Sequence, residues 1–215
     1  MLHLVCHPEG RPLQRVLCLG AHADDIEIGC GATLLGLARA YPQTRFYWAV
    51  FTARGERASE AQASAKAFMG DALEAIALWD FQDGFLPYAG AEVKACFEQI
   101  KRAFVPDLVF THYGEDRHQD HRLVSELTWN TFRDQLIFEY EIPKFDGDLG
   151  RPNGYVACDE AILERKVRLL TAAFATQAGK GWFSEETFYA LARLRGIEAN
   201  SRYAEAFYCR KLALF

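Results

Sequence analysis

A chain of 215 residues, half of them hydrophobic, is long enough for one domain with a sizeable core and too apolar to be a disordered chain. Its 24 basic residues against 29 acidic ones give a formal net charge of −5, which excludes the strong basic field of a nucleic-acid binder. Six scattered cysteines without a C-x-x-C pair read as reduced thiols of a cytoplasmic protein.

Residues 1–14 read as an N-terminal extension. They have one short apolar run and no charged segment ahead of it, so neither a signal peptide nor a membrane span is expected there. His3, Cys6 and His7 are closely spaced, but no second ligand pair accompanies them. The run Val16-Leu17-Cys18-Leu19 predicts a buried strand. Gly29 and Gly31 predict a tight turn after it, followed by a helix over 32–41 that Pro42 stops. Aromatic and β-branched residues predict a second strand over 45–52, and an alanine-rich helix covers 59–69. A short strand over 75–79 leads into the turn Asp80-Phe81-Gln82-Asp83-Gly84. A helix over 91–104, a strand over 108–111, a helix over 121–134 and a strand over 136–140 follow. Residues 141–154 are rich in Pro, Gly and Asp and form a long loop of the kind that often carries function. Helices over 159–175 and 185–194 and an apolar strand over 203–212 complete the chain.

The alternation implies an α/β fold with a parallel sheet, helices on both faces and right-handed crossovers. No G-x-G-x-x-G is present, so no dinucleotide site is inferred. The first strand runs into Ala21-His22-Ala23-Asp24-Asp25, and the strand over 108–111 runs into His112 and then Arg117-His118-Gln119-Asp120-His121. Both clusters therefore sit at strand tips, where open α/β sheets bind ligands. His22 and Asp25 look like metal ligands, and an Asp-Asp pair capping the next helix is the alternative. A catalytic zinc takes three protein ligands, so either His118 or His121 would complete the set. Glu27 reads as a first-turn helix residue favoured by the dipole.

These motifs carry a resemblance. Ala21-His22-Ala23-Asp24-Asp25 resembles the A-H-P-D-D signature of the LmbE-like (PIG-L) N-acetylglucosaminyl deacetylase superfamily, and His118-Gln119-Asp120-His121 resembles its H-P-D-H signature. Ala23 and Gln119 replace prolines, and neither position offers a ligand. The likeness runs from about Val16 to the end of the chain and weakens past Pro143. It implies one Rossmann-like deacetylase domain over 1–215. By position it implies His22, Asp25 and His121 as zinc ligands, with Fe2+ another candidate metal, and Asp24 as general base. It implies His118 as the group that stabilises the tetrahedral intermediate or protonates the leaving amine, and Asp120 as the carboxylate that orients a histidine. Thr52-Ala53-Arg54-Gly55-Glu56 is one residue longer than the family's T-x-G-E run and makes Arg54 a candidate substrate contact. Asp83 and Tyr203 are further candidates, with Tyr88, Arg195 and Glu205 behind them.

The expected activity is hydrolysis of a linear amide, the N-acetyl group of an amino sugar or its glycoside. The expected partner is that small molecule, with no nucleic acid and no integral membrane segment; a homo-oligomer is left open. The competing readings are a metal-dependent phosphoesterase and a non-catalytic sugar-binding protein on the same fold.

Overall fold

The computed structural model describes residues 12–212; residues 1–11 of the expected N-terminal extension, with His3, Cys6 and His7, lie outside them. Seven strands form one sheet: β1 (Arg15–Gly20), β2 (Arg45–Val50), β3 (Leu73–Leu78), β4 (Leu108–His112), β5 (Leu136–Tyr140), β6 (Gly154–Cys158) and β7 (Tyr203–Tyr208). Their order is β3-β2-β1-β4-β5-β7-β6. The first five are mutually parallel, and β7 runs antiparallel to both β5 and β6. The α/β expectation holds, with a mostly parallel sheet in a single domain.

Six α-helices cover the sheet: α1 (Asp25–Ala40), α2 (Glu56–Met69), α3 (Gly90–Ala103), α4 (Gln119–Thr131), α5 (Glu160–Ala173) and α6 (Glu185–Glu198). β1 shows how two faces are built from one apolar run. Val16 and Cys18 enter the core shared with α1, α2, α5 and α6, while Leu17 and Leu19 enter the core shared with α3 and α4. A strand covered on both faces has no polar side to show, so it reads as a continuous hydrophobic run. Among the described residues no helix is long and apolar enough to cross a membrane.

The strand order reverses between β1 and β4, where the crossover from β1 leads to β2 on one side and β4 lies on the other. Ligands bind at such a switch point, beyond the C-terminal ends of the strands. The two motif-bearing segments leave from these two strands.

Several boundaries differ from the sequence expectation. The glycines at 29 and 31 do not make a turn: α1 starts at Asp25 and runs through both, and neither has a positive φ. Their role is close packing. A Cβ on Gly29 would lie 2.1 Å from Cδ2 of Tyr140, and one on Gly31 would lie 2.9 Å from the Phe68 ring. β6 has no counterpart in the predicted elements. It is a five-residue edge strand of half-buried and exposed residues, so it lacks the apolar run that marks the central strands. β7 stops at Tyr208 rather than continuing to 212, and Arg210 folds back to pair with Glu139 at 2.6 Å. α6 extends to Glu198, past the expected end at 194.

The Gly29–Tyr140 contact ties α1 to β5, and the Tyr140 hydroxyl donates to the Leu19 carbonyl at 2.6 Å. A Gly29→Ala variant is expected to lose about 1–3 kcal/mol of stability through overpacking. Calorimetry should show the melting temperature fall by about 2–4 °C per kcal/mol lost; an unchanged value would show that the ring gives way freely.

Candidate active site

The residues after β1 turn into α1 within four positions, so Asp24 falls at the N-cap position, with no side-chain bond to the helix N–H groups, and Asp25 occupies the first turn. This places two neighbouring carboxylates on different sides. Asp25 turns back under the sheet edge: its Oδ2 accepts the His22 backbone N–H at 2.6 Å, and it lies 3.2 Å from His22 Nδ1 and 3.1 Å from His112 Nε2. Its Oδ1 lies 3.6 Å from His121 Nε2. Asp24 faces the other way and meets Arg57, whose Nη2 donates to Asp24 Oδ1 at 2.7 Å.

The second cluster is built by the segment from β4 into α4. His118 caps α4 and accepts the Asp120 backbone N–H at its Nδ1. His121, in the first turn of α4, points back at His22, with Nε2 and His22 Nδ1 separated by 3.1 Å. His121 Nδ1 meets Asp116 Oδ2 at 2.9 Å. With the N–H placed on Nδ1 to satisfy Asp116, the Nε2 lone pair faces His22 and Asp25.

The electrostatics follow from burial and neighbours. Burial, then the adjacent His112, pushes the His121 pKa down to about 3, so the ring is neutral and free to donate its lone pair. Burial works against charge on Asp25, yet His121, His112 and His22 hold its carboxyl well below the usual range. Burial also works against charge on His22, and the surrounding Asp25, Asp120 and Asp83 carboxylates raise its pKa above the ordinary value. For Asp24 burial wins over Arg57 and the pKa rises. Burial and the neighbouring His22 lower that of His118.

The donor set fits a divalent ion. Tetrahedral zinc with bonds near 2.1 Å places its donor atoms about 3.4 Å apart. His22 Nδ1 lies 3.1 Å from His121 Nε2 and 3.2 Å from Asp25 Oδ2, while His121 Nε2 lies 3.6 Å from the other Asp25 oxygen, Oδ1. Three convergent donor groups occur among the described residues: His22 with His118 and His121, Asp25 with His112 and His121, and His22 with Asp83 and Asp120. The first group shares His121 with the second and His22 with the third, so the three adjoin; none of them holds His22, Asp25 and His121 together.

The cluster floors a cavity of about 680 Å³. Its wall includes Thr52, Arg54, Phe81 and Asp83 from the loops after β2 and β3, and Arg57 from the first turn of α2. The long loop after β5 contributes Ile142, Lys144, Phe145 and Asp146, which gives that loop a place in the site. Lys180 and Trp182 come from the segment between α5 and α6.

The expected residues thus fall into two groups. His22, Asp24, Asp25, His118 and His121 come together, and Arg54 and Asp83 line the same cavity, with Asp83 Oδ1 3.1 Å from His22 Nε2. Asp120 is fully buried beneath it. Its oxygens accept the Gly84 and Leu86 backbone N–H groups, and Oδ2 lies 3.4 Å from His22 Nε2. Asp120 therefore orients the loop after β3 as well as facing a histidine. Tyr203 does not line the cavity: it packs edge-to-face on Tyr189, 6.1 Å between centroids, at the start of β7. Arg195 and Glu205 are also drawn elsewhere, into buried ion pairs with Glu141 and Lys166. Glu27 is a first-turn helix residue but is fully buried, which pushes its pKa up to about 8.

Three contributors escape a motif reading. Asp116 orients His121, and its other oxygen accepts the His118 backbone N–H at 2.7 Å. His112 stacks on His121 with ring centroids 3.9 Å apart and accepts the Ala21 backbone N–H at Nε2. Arg57 holds Asp24. One signal for Arg57 was available: it sits in the first turn of α2, where the helix dipole disfavours a cation, so a carboxylate partner was called for.

The family model described as PIG-L, GlcNAc-PI de-N-acetylase, matches residues 17–132, more than half of the chain. A comparison with curated protein sequences gives no match. Among solved structures, N,N′-diacetylchitobiose deacetylase from Pyrococcus horikoshii aligns with a TM-score of 0.73 at 21% identity, covering 92% of this chain and 84% of its own. The zinc-inhibited form of teicoplanin deacetylase Orf2 aligns at 0.72 and 15% identity, covering 91% and 97%. The 4-carboxy-2-hydroxymuconate hydratase GalB from Pseudomonas putida KT2440 aligns at 0.70 and 16% identity, covering 94% and 98%. At these identities the likeness is one of fold, and a hydratase shares it with the deacetylases, so the reaction has to be read from side chains.

Replacing Asp116 with Asn removes the charge that holds the His121 tautomer. Loss of such a supporting carboxylate typically weakens metal binding by about 10–100-fold. Equilibrium dialysis of the Asp116→Asn protein against zinc or iron should show that loss with an unchanged circular dichroism spectrum.

Proposed function

Because the chain belongs to the PIG-L family of GlcNAc-PI de-N-acetylases, we propose that it is a metal-dependent hydrolase that removes the N-acetyl group from an amino sugar or an amino-sugar conjugate. The observation that carries this reading is the closeness of His22 Nδ1 to both His121 Nε2 and Asp25 Oδ2, beside an Asp24 oxygen that is buried and has no hydrogen-bond partner. His22, Asp25 and His121 would hold the ion, zinc by donor type and Fe2+ as the alternative. A divalent ion held there supplies Lewis acidity, which polarises the amide carbonyl and lowers the pKa of water to about 7.

The chain's own residues do the rest. Arg57 engages Oδ1 of Asp24 and leaves the buried Oδ2 without a hydrogen-bond partner. Oδ2 takes a proton from the attacking water as its oxygen bonds to the acetyl carbon. The carbonyl oxygen gains negative charge in that step. His118 has its Nδ1 occupied by the Asp120 N–H, so Nε2 is the atom that can donate to this oxyanion. Collapse breaks the C–N bond, and the proton on Asp24 passes to the leaving nitrogen, giving the amine and acetic acid, which loses its remaining proton to solvent as acetate. Burial, which raises the Asp24 pKa, makes the carboxyl a better proton acceptor and suits this double role.

A two-metal phosphoesterase is the weaker reading, since it needs a second ion about 4 Å from the first and the two motifs supply one ligand set, His22, Asp25 and His121. A non-catalytic sugar-binding role leaves the unpartnered Asp24 Oδ2, and the Arg57 that holds Oδ1, without a purpose. We take the protein to work as a single domain in the cytoplasm on a small-molecule substrate.

Asp24→Asn keeps the shape and removes the base. Acetate release by zinc-loaded protein from a panel of N-acetyl amino sugars and their glycosides is expected to fall by about 10²–10⁴-fold in kcat. His121→Ala should abolish both release and tight metal binding. Turnover that survives Asp24→Asn would overturn the assignment of the base.

A further inference from the structure

The loop over 141–150 leaves β5 with an exposed tip, Phe145 to Gly147, and side chains at its two ends fasten it. Arg195 of α6 is buried behind the cavity wall rather than in it. Its Nε and Nη2 donate to the two Glu141 oxygens at 2.9 and 2.6 Å, and Nη2 also donates to the Gly150 carbonyl at 3.2 Å. One guanidinium thus grips residue 141 and residue 150 together. Its Nη1 is fixed in turn by the Glu198 carboxylate at 3.0 and 2.9 Å. The Tyr208 hydroxyl donates to Glu141 Oε1 at 3.1 Å, and a Cβ on Gly150 would lie 2.6 Å from that hydroxyl oxygen, so both ends press on the same clasp. A rigid fork of donors suits such a two-point grip.

Between the ends, Lys144 Nζ lies 3.0 Å from Asp116 Oδ2 and bonds Asp148 as well, with its side chain 9% exposed. Asp148 Oδ2 accepts the Arg117 N–H at 2.7 Å, which ties the loop to the segment before α4. The Asp116 oxygen that meets Lys144 is the one that meets His121 Nδ1 at 2.9 Å. A carboxylate behind a metal-binding imidazole sets the ring's orientation and basicity, and here that oxygen is shared with an ammonium. A line of contacts therefore runs from α6 to the histidine cluster through Glu141, Lys144 and Asp116.

We propose that Arg195 is a positioning residue for the metal centre: by closing the loop over 141–150 it keeps Lys144 on Asp116, and through Asp116 it sets how His121 is held. The last link rests on the reading of His121 as a metal ligand; the clasp itself is tested without metal or substrate.

The test uses Glu141→Gln/Arg195→Met, which removes both charges and so leaves no lone buried carboxylate. Glu141→Gln alone, which keeps the side chain's shape, stands in where the paired variant does not fold. Folding is checked by circular dichroism. Lysines are labelled with sulfosuccinimidyl propionate and read by peptide mass spectrometry, with the exposed Lys180 as internal reference. Lys144 is expected to be protected in the parent protein. In the variant its labelling should rise about tenfold or more, the effect of losing charge-assisted bonds on an opening equilibrium. Zinc affinity by equilibrium dialysis should shift in Lys144→Met, shift in the same direction in the paired variant, and shift no further when the two are combined, to within about twofold. Lys144 that stays protected in a folded variant, no shift in Lys144→Met, or shifts that multiply on combination would overturn the proposal. Newly labelled Lys144 in a parent protein that binds no zinc would leave the clasp standing and count against the metal reading alone.

Discussion

A carboxylate with almost no access to water sets the terms for this site. Asp25 is 3% exposed, and an isolated ionised carboxylate in such a place is costly unless neighbours compensate it. Three imidazoles and the His22 backbone N–H surround it. They come from separate parts of the chain: His22 from the tip of β1, His112 from the end of β4 and His121 from the first turn of α4. Only adjacency of β1 and β4 brings them together, and that adjacency is the reversal point of the sheet. The ordering of the whole parallel sheet is in this sense a condition for keeping one buried charge.

The supports of α1 extend this dependence outward. The helix that begins at Asp25 must approach β5 closely enough to meet Tyr140, which only a residue without a side chain at position 29 permits. Further along, the Glu205 carboxylate accepts the Ala32 and Thr33 N–H groups, and Lys166 bonds both Glu205 and the Ile28 carbonyl. These buried ionic groups are far from solvent and well satisfied, the condition under which such a pair is tolerated. They hold the middle of α1 through β7 and α5. A similar logic places Asp116 behind His121 and Lys144 behind Asp116. The second link joins the long loop after β5 to the histidine cluster.

The central fold was legible because β1, β2, β4 and β5 are buried apolar runs separated by helical periodicity, and Leu136–Tyr140 even has its boundaries in plain view. The site core was legible because a short motif places His22, Asp24 and Asp25 within one turn of chain. What stayed hidden depends on contacts between distant residues. Asp116 is separated from the second motif by only one residue, but nothing local says which carboxylate reaches His121; Asp120, the nearer candidate by motif, spends its oxygens on the Gly84 and Leu86 amides. The close packing of Gly29 is invisible without Tyr140, 111 positions later in a strand of another unit, so the glycine reads locally as a turn. β6 is an edge strand whose half-exposed residues carry little hydrophobic signal. Tyr203 is aromatic and near a strand start, but its ring finds Tyr189 instead of the cavity.

Adjacent aspartates show how one turn of backbone divides two chemical tasks. Asp24 stands at the N-cap position of α1 with its side chain toward Arg57, while Asp25, one residue on, turns toward the histidines. Both are nearly excluded from water, so burial pushes both pKa values upward. The difference lies in what faces them. Three imidazoles overcome burial at Asp25 and keep it ionised, whereas a single guanidinium on one oxygen of Asp24 does not. One carboxylate is thereby suited to remain an anion and the other to take up and release a proton, a separation of roles that environment alone can impose on chemically identical groups. The sign of each shift follows from the direction the side chain leaves the helix start. That direction is fixed by the short connection from β1, which gives the two residues no freedom to exchange places.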